Sequence, residues 1–490
     1  MAMEQETIVA ISTPVGRGGI GVVRVSGPRA REVVAPLVRL RHEMVPGRAR
    51  FGEVVDVVTG AVLDECVVTF FRAPHSYTSE DVVEIAMHGS PVLLEYAVRE
   101  CCGRGARLAE PGEFTQRAFL AGRIDLTQAE AVDDLIGSST LEQARVAARQ
   151  LGGALAKVVA PVKAELVGLI AALEAGIDFA EDDIDVLAAA AIVARIESVH
   201  APLAELERSF AYGRVVRDGF RLAIVGRPNA GKSSLFNRLV ERDRAIVTAT
   251  PGTTRDLVTE RVAIEGIPVD LIDTAGLRHA ADEAERMGIA KSHEAMADAD
   301  VVLLVVDGAC VEQTGGISQE DRAVMERGAL VAWNKCDLAS EKTHISEARR
   351  GASGDLVGAG EGGRALPDNP PLAANAKDGP PALMDGFVVV RTSAVTGEGI
   401  AELRAAIVRA VVGEGGLREA GMLTNLRQHQ AVEQALRGLD AARAAVGAGI
   451  PHEMVMLDLY EALRGLDALT GATTTEDVLR LIFSNFCIGK

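Results

Sequence analysis

The chain has 490 residues, more than one hydrophobic core usually serves, so we expect about three domains. Apolar residues make up 48% of it and charged residues 24%, which excludes wholesale disorder, a collagen-like protein and a small disulfide scaffold. The 69 acidic residues outnumber the 51 basic ones, and the net charge of −18 argues against a generic nucleic-acid binder with a basic surface.

The targeting and redox signals predict a soluble cytoplasmic protein without membrane spans. The N-terminal sequence MAMEQETIVA is acidic and has no signal-peptide pattern. The longest apolar runs, such as residues 301–306, are far shorter than the ~20 residues that a membrane helix needs. The six cysteines form no CxxC motif and no Cys/His cluster with zinc spacing, which is typical of a protein from a reducing compartment.

Residues 1–121 predict an α+β domain, because short β-type runs are broken there by glycine and proline. We expect helices near residues 28–40 and 91–102. The predicted strands are Thr7–Ile11, Gly21–Val25, Phe51–Val58, Cys66–Phe71 and Val82–Met87.

Two Ala-rich stretches, residues 122–216 and 414–490, predict the two parts of one helical bundle. Pro161 is expected in the first turn of its helix, where proline is tolerated, and Thr473-x-x-Glu476 predicts the start of the last helix. The expected apolar stripes are Val162, Leu166, Leu169 and Leu173 in the first part, and Val432, Leu436, Leu439 and Val446 in the second.

Residues 217–413 predict an α/β domain inserted into this bundle. Apolar strands alternate there with helical stretches, a pattern typical of a mostly parallel sheet covered on both faces. Residues 350–386 are rich in Gly, Pro and Ala and predict a flexible insertion without chemistry of its own. The predicted strands are Leu222–Val225, Val269–Ile272, Val301–Val306, Ala329–Trp333 and Phe387–Val390.

A phosphate-binding loop is the strongest motif. The sequence GRPNAGKS at residues 226–233 matches GxxxxGK[ST], follows an apolar strand and begins a helix. Its backbone N–H groups and the helix N-terminus are suited to phosphates, Lys232 to the terminal phosphates, and the Ser233 hydroxyl to Mg²⁺.

Three further motifs follow in the order expected for a GTPase. In the sequence DTAG at residues 273–276, the aspartate is suited to the coordination shell of Mg²⁺ and the N–H of the glycine is suited to the γ-phosphate. The sequence NKCD at residues 334–337 ends in a carboxylate that accepts from N1–H and the exocyclic amine of guanine, a pair of donors that adenine does not present. Ser393 and Ala394 follow the next strand, where a backbone N–H is suited to the guanine oxygen.

With these motifs the chain resembles the MnmE (TrmE) family of tRNA modification GTPases. The resemblance is carried by GTTRD at 252–256, DEAERMGI at 282–289, FCIGK at 486–490, and two N-terminal runs that begin at Pro14 and Pro111. It covers nearly the whole chain except residues 350–386. It implies a multidomain protein with an α+β folate-binding and dimerisation domain, an α-helical bundle and an inserted α/β P-loop GTPase domain.

The resemblance also implies how GTP is held and hydrolysed. Leu277 stands where a Ras-like protein has its water-orienting Gln, and the sequence assigns no arginine finger. In the family a potassium ion takes the position of the finger, held here by Asn229, Thr248, Thr250 and Thr253. Mg²⁺ would bind Ser233 and Thr254, and Glu285 would orient the attacking water, although Glu285 on its own could be a solvated helix residue. The expected GTP contacts are Asn229, Ala230, Gly231, Lys232, Ser233, Ser234, Thr248, Ala249, Thr250, Pro251, Gly252, Thr253, Thr254, Asp273, Thr274, Ala275, Gly276, Asn334, Lys335, Asp337, Ser393, Ala394 and Val395.

The N-terminal GRGGIG at residues 16–21 matches the dinucleotide motif GxGxxG, but we reject this reading because a strand rather than a helix follows. The family resemblance implies instead a 5-formyltetrahydrofolate site made by Arg24, Glu84, Arg123 and Lys490. Cationic side chains suit the glutamate carboxylate of folate, and a carboxylate suits the donor edge of its pterin.

Cys487 is the one cysteine for which we consider catalytic chemistry, with a small buried hydrophobe as the alternative. For the whole chain, the resemblance implies a potassium-stimulated GTPase that works as a homodimer with the FAD-containing partner MnmG. This heterotetramer would add an aminomethyl or carboxymethylaminomethyl group to carbon 5 of the tRNA wobble uridine. Two alternatives stay open: a ribosome-assembly GTPase, and a folate-dependent one-carbon transferase with a regulatory GTPase domain.

Overall fold

The computed structural model divides into two compact units, each described here by itself. One unit contains residues 1–138, 144–210 and 417–490, and the other contains residues 139–143 and 211–416. The structure describes residues 6–178, 188–240, 258–272, 296–314, 316–338, 387–412, 421–472, 479, 482–484 and 486–489.

In the first unit, the described residues form a seven-stranded sheet in the order β3-β4-β5-β6-β2-β1-β7. All its neighbours pair antiparallel except β1 and β7, which are parallel. Helices α1 (Ala30–Val34) and α2 (Pro91–Cys102) pack on this sheet and contribute side chains to its core. Helix α3 (Glu113–Leu120) follows β7 in the chain. The strands are β1 (Ile8–Ile11), β2 (Gly18–Ser26), β3 (Val38–Leu40), β4 (Ala49–Val55), β5 (Val62–Phe71), β6 (Val82–Gly89) and β7 (Arg107–Leu108).

The predicted helix near residues 28–40 is only partly present. The helix α1 ends at Val34, a 3-10 turn with Pro36 follows, and residues 38–40 form β3. The prediction of a helix there is wrong because these last residues pair with β4, which offers the backbone a sheet ladder instead. The rejection of a dinucleotide motif is confirmed, since residues 18–21 of GRGGIG lie in β2, a strand that pairs antiparallel with β1 and β6.

The helical part of this unit is a bundle whose core lies between α6, α7, α13 and α14. Both predicted stripes face this core, with Leu436 partly buried. Pro161 does not lie in a first turn, because α6 begins at Ala154. The earlier turns bring Leu155 and Val159 into the core, and this burial outweighs the hydrogen bond that the proline removes. The helices are α4 (Leu126–Gly137), α5 (Leu141–Leu151), α6 (Ala154–Asp178), α7 (Ala189–Arg208), α13 (Leu426–Gly447) and α14 (His452–Thr470).

In the second unit, the described residues form a six-stranded sheet in the order β13-β12-β11-β8-β10-β9. It is parallel except for the antiparallel hairpin β9–β10, so the prediction of a mostly parallel sheet is confirmed. The strands are β8 (Phe220–Val225), β9 (Val258–Ile264), β10 (Ile267–Ile272), β11 (Val301–Asp307), β12 (Leu330–Asn334) and β13 (Val389–Arg391). The helices are α8 (Phe210–Asp218), α9 (Lys232–Val240), α10 (Gly308–Thr314), α11 (Gln319–Met325) and α12 (Ile400–Val412).

Candidate functional site

The loop between β8 and α9 has the backbone of a phosphate-binding loop. Gly226, Asn229 and Gly231 have φ values of 144°, 61° and 95°, which turn the chain tightly ahead of the helix. A Cβ on Gly231 would lie 2.2 Å from Nδ2 of Asn334, so the loop and the NKCD segment approach too closely for any side chain at that position. The phosphate and base motifs of the sequence therefore meet in one place.

Lys232 is the first residue of α9, and its ammonium group lies over the phosphate-binding loop. Its Nζ donates to the carbonyl oxygens of Gly226 at 2.7 Å and Arg227 at 2.9 Å. Burial lowers the pKa of Lys232, while the charge of Asp321 acts in the opposite direction. A cation beside a helix N-terminus is an arrangement suited to anionic oxygens, and Ser233 and Ser234 lie exposed in the same first turn.

Asn334 joins three segments at the opposite end of this site. Its Nδ2 donates to the carbonyl oxygen of Ala230 at 3.0 Å, and its Oδ1 accepts from the backbone N–H of Ala394 at 3.2 Å. Lys335 donates from Nζ to Oδ2 of Asp307 at 2.6 Å. The phosphate loop, the NKCD segment and residues 393–395 are thus held together by one buried side chain.

Asp337 has an orphaned oxygen. Its Oδ1 is buried, and no hydrogen-bond donor reaches it within the part of the chain that the structure describes. A buried carboxylate oxygen without a partner is costly, so this position fits a ligand that brings its own N–H donors. Guanine, with N1–H next to an exocyclic amine, is such a ligand.

A second candidate site lies on the sheet of the first unit. Arg24 on β2 stands opposite Glu84 on β6, and its Nε and Nη2 both lie 2.8 Å from Oε1 of that glutamate. The guanidinium carbons of Arg24 and Arg123 lie 5.6 and 5.3 Å from the ring centre of Tyr77. A pocket of about 620 Å³ opens here, and its lining includes Phe71, His75, Tyr77, Val82, Glu84 and Arg123.

The C-terminal segment reaches the same sheet. The carbonyl oxygen of Gly489 accepts from Oγ of Ser12 at 3.2 Å and from Nη1 of Arg24 at 3.4 Å. The carbonyl oxygen of Cys487 accepts from the N–H of Gly112 at 3.4 Å, while the Cys487 residue itself is exposed. The alternative of a small buried hydrophobe at Cys487 is therefore wrong, because this backbone anchor leaves the residue facing solvent.

Several predicted residues lie outside the described residues. Among the GTP contacts these are Thr248, Ala249, Thr250, Pro251, Gly252, Thr253, Thr254, Asp273, Thr274, Ala275 and Gly276. Glu285, Lys490, the capping box of Thr473 and Glu476, and the insertion 350–386 are also outside them.

The chain matches two family models that together span nearly its whole length. The model described as the MnmE helical domain matches residues 126–487, and the model of the GTP-binding protein TrmE N-terminus matches residues 7–123. The tRNA modification GTPase MnmE of Koribacter versatilis (strain Ellin345) is 56% identical over 488 residues, which covers 99% of each chain. This chain belongs to the MnmE family. The prediction of a GTPase from the four nucleotide motifs is thereby confirmed.

Other MnmE proteins agree along the full length. The tRNA modification GTPase MnmE of Aquifex aeolicus (strain VF5) is 39% identical over 487 residues, 99% of this chain and 100% of that protein. Among solved structures, the G domain of the T. maritima FeoB iron transporter is similar with a TM-score of 0.22 and 26% identity, over 39% of this chain and 98% of that chain. Within the described ranges of this MnmE family member, no helix is long and apolar enough to cross a membrane.

Sequence reasoning missed three side chains that shape these sites in this MnmE family member. Tyr77 lies in the pocket between two arginines, and its hydroxyl shares a hydrogen bond of 2.9 Å with Oγ1 of Thr115. Asp307, the last residue of β11, pairs with Lys335, and its place at the carboxyl end of a predicted strand was the available signal. Arg238 on α9 binds the loop at residues 393–395, and its sequence neighbours carried no sign of this role.

Proposed function

We propose that this chain is a potassium-stimulated GTPase that acts on tRNA in the cytoplasm together with MnmG. The heterotetramer, built on a homodimer of this chain, would add an aminomethyl or carboxymethylaminomethyl group to carbon 5 of the wobble uridine of certain tRNAs. The one-carbon unit would come from 5-formyltetrahydrofolate or a related folate, and FAD would belong to MnmG. One observation carries the proposal: the chain combines a guanine-type nucleotide site with a separate pocket of cationic, acidic and aromatic side chains.

GTP fits the first site by the chemistry of both of its ends. The phosphate groups would be bound by the loop N–H groups from Asn229 to Ser233 and by Lys232, which exchanges two carbonyl partners for phosphate oxygens. The guanine edge would supply the donors that the buried Oδ1 of Asp337 lacks in the described part of the chain. Asn334 would keep the phosphate-binding loop and residues 393–395 at a fixed separation, because it already forms hydrogen bonds with both segments.

The metal ions of this site have oxygen ligands available. We infer that Ser233, with Thr254, binds Mg²⁺ through its hydroxyl, since hard cations prefer oxygen. We infer that Asn229, with Thr248, Thr250 and Thr253, holds K⁺, which would supply positive charge beside the transferred phosphoryl group. Glu285 is proposed to orient the attacking water, because Leu277 has no group able to do so.

The potassium proposal predicts a cation-dependent rate. GTP turnover is expected to rise about tenfold or more when Na⁺ is replaced by K⁺, because fixed positive charge stabilises the phosphoryl transition state. Asn229→Gly is expected to abolish this difference, since glycine adopts the φ of 61° without strain but lacks the amide oxygen. Turnover is measured at saturating GTP in matched salts.

Two results would decide against this assignment. Equal turnover of the wild-type chain in both salts would remove the role of potassium altogether. A K⁺/Na⁺ ratio that survives in Asn229→Gly would show that another residue holds the ion. GDP affinity serves as the control, because Asn229→Gly keeps the loop conformation and should keep most of the ground-state binding.

A folate fits the second site by charge and by shape. The guanidinium groups of Arg24 and Arg123 are suited to a carboxylate, and the carboxylate of Glu84 is suited to the donor edge of a pterin. Tyr77 adds an aromatic face on which a flat ring can stack. Lys490 is proposed as a fourth contact, because the neighbouring Gly489 bonds to Arg24.

The whole function is tested by the modification state of tRNA. In cells that lack this chain, the C5 group of the wobble uridine is expected to disappear and to return when the wild-type chain is supplied, as measured by mass spectrometry of tRNA nucleosides. Glu84→Gln is expected not to restore it, because an amide ends the ion pair with Arg24 and offers the pterin a donor in place of an acceptor.

Glu53→Gln is the matched control for this experiment. Glu53 lies on β4, which β5 separates from β6 in the same sheet. It pairs with Arg39 and does not line the pocket, so this variant should restore modification. Modification that persists without the chain would overturn the proposed function and leave the ribosome-assembly alternative. Modification restored by Glu84→Gln would overturn only the folate site.

A further inference from the structure

Residues 393–395, which follow β13, are attached to α9 by the side chain of Arg238. Its Nε donates to the carbonyl oxygen of Ala394 at 3.1 Å, and its Nη2 donates to the carbonyl oxygen of Val395 at 2.9 Å. Two bonds from one planar guanidinium fix both the position and the tilt of the peptide units that they hold. The position of residues 393–395 is therefore fixed relative to α9, the helix that follows the phosphate-binding loop.

Other bonds of this loop run within its own turn or to Asn334. The N–H of Ser393 donates to the carbonyl oxygen of Glu398 at 3.0 Å, and the N–H of Ala394 donates to Oδ1 of Asn334 at 3.2 Å. The bond from the N–H of Thr396 to Oγ of Ser393, 3.1 Å long, shapes the turn without tying it to α9. Val395 is 77% exposed, so its side chain contributes little buried packing. The two hydrogen bonds from Arg238 therefore attach this loop to α9.

The helix that carries Arg238 is itself held at its far end. Nη2 of Arg404 on α12 donates to the carbonyl oxygen of Leu239 at 2.9 Å and lies 3.4 Å from that of Arg238. Lys232 lies at the first turn of the same helix, next to the phosphate site. The helix α9 therefore connects the phosphate end of the nucleotide site to its base end, and it is bonded to α12 where it ends.

We propose that Arg238 is a positioning residue for guanine recognition. Its two bonds hold the Ala394 peptide in place. The N–H of this peptide donates to Oδ1 of Asn334 in the present structure, and it is the donor that the loop would offer to the base oxygen O6 when guanine is bound. This role rests on the guanine site proposed above and assigns to it a residue outside the nucleotide motifs. Arg238 bonds to backbone oxygens of the loop, so we expect it to act on the base through the group that the loop presents.

The test compares three nucleotides that differ in one group each. GDP carries both O6 and the exocyclic amine, 6-thio-GDP replaces O6 by a weakly accepting sulfur, and IDP lacks the amine that Asp337 would read. In Arg238→Ala, affinity for GDP is expected to fall about five- to tenfold, the worth of roughly one hydrogen bond. The GDP/6-thio-GDP affinity ratio should fall toward one, while the GDP/IDP ratio stays within about twofold of the wild type.

Two further variants keep the result interpretable. Arg238→Lys retains the charge and stem but not the fork, so its GDP/6-thio-GDP ratio should lie between those of the wild type and Arg238→Ala. Arg322→Ala removes an exposed arginine from α11 in the same unit and should leave all three affinities unchanged. All affinities are measured on the full chain by titration calorimetry.

The outcomes separate this inference from the site on which it rests. A wild-type chain that does not prefer GDP over IDP and 6-thio-GDP would overturn the guanine site, and the role of Arg238 with it. A wild-type preference that Arg238→Ala preserves would overturn the role of Arg238 alone. An equal fall of all three affinities in Arg238→Ala would likewise overturn it, because that result describes general damage to α9.

Discussion

Asp337→Asn is expected to lose GDP affinity by about 100-fold or more and to gain affinity for xanthosine diphosphate. The carboxylate would accept two charge-assisted hydrogen bonds from guanine, each worth about 1.5 to 3 kcal/mol, and an amide cannot accept both. Xanthine presents an oxygen where guanine has its amine, and the Asn amide can donate to that oxygen. The prediction follows from the orphaned Oδ1 of Asp337.

The measurement is a pair of dissociation constants, for GDP and for xanthosine diphosphate, on the wild type and the variant. Asp270→Asn on β10 is the matched control, since Asp270 pairs with Arg261 outside the nucleotide motifs. A fall in GDP affinity without a gain for xanthosine diphosphate would mean that Asp337 is structural. Unchanged GDP affinity would place the base elsewhere.

The parts of this site that sequence predicted are those whose signal is local. The phosphate loop is a run of eight residues between a strand and a helix, and each of its functional groups comes from that run. The parallel strands were also predictable, because strands buried on both faces are continuous apolar runs. The hairpin strand β9 was missed, since its sequence VTERVAI interrupts the apolar pattern with polar residues.

The parts that sequence could not predict depend on partners far apart in the chain. Arg238 binds carbonyl oxygens of residues 394 and 395, and backbone acceptors leave no trace in side-chain patterns. Tyr77 is an isolated aromatic in a loop, and only the folded sheet brings it between Arg24 and Arg123. The position of Pro161 was misjudged for a related reason, because a distant core decides where α6 begins.

The helical part of the chain contains a buried ion pair of the same long-range kind. Glu130 on α4 accepts from Nε of Arg427 at 2.5 Å through Oε1, and from Nη2 of Arg427 and Nε2 of Gln428 at 2.8 Å through Oε2. Nη1 of Arg427 also donates to the carbonyl oxygen of Ala468 at 2.7 Å, near the end of α14. One guanidinium thus joins α4, α13 and α14.

The pKa of Glu130 depends on two opposing effects at this junction, burial and the bonds to Arg427 and its neighbours. Burial favours the neutral acid and raises the pKa, but the hydrogen bonds and charge of Arg427, with Gln428 and Asn425, outweigh it. The pKa therefore lies below its ordinary value near 4.5. A depressed carboxyl pKa contributes stability at pH values above the unfolded pKa, and this contribution is lost as the pH falls through the folded value.

Arg427→Ala is expected to destabilise the bundle by about 3 to 5 kcal/mol at neutral pH, because it leaves the Glu130 carboxylate buried without its cation. Burial then raises the pKa of Glu130 above its unfolded value, so the sign of the pH dependence reverses. The variant should recover part of its deficit relative to the wild type when the pH is lowered from about 7.5 to about 5, because protonation removes a buried charge that has lost its cation. Hydrogen exchange of the α13 amides gives the opening free energy of the bundle at each pH.

Arg443→Ala on the same helix is the control, because the side chain of Arg443 is 43% exposed and its pairs with Asp440 and Glu197 lie at the surface. Its effect should stay within about 0.5 kcal/mol at both pH values, since surface ion pairs contribute little. A loss below about 1 kcal/mol in Arg427→Ala would show that the junction does not join the three helices energetically. A deficit that does not change with pH would show that Glu130 keeps its charge without Arg427, which would require Gln428 and Asn425 to stabilise the carboxylate by themselves.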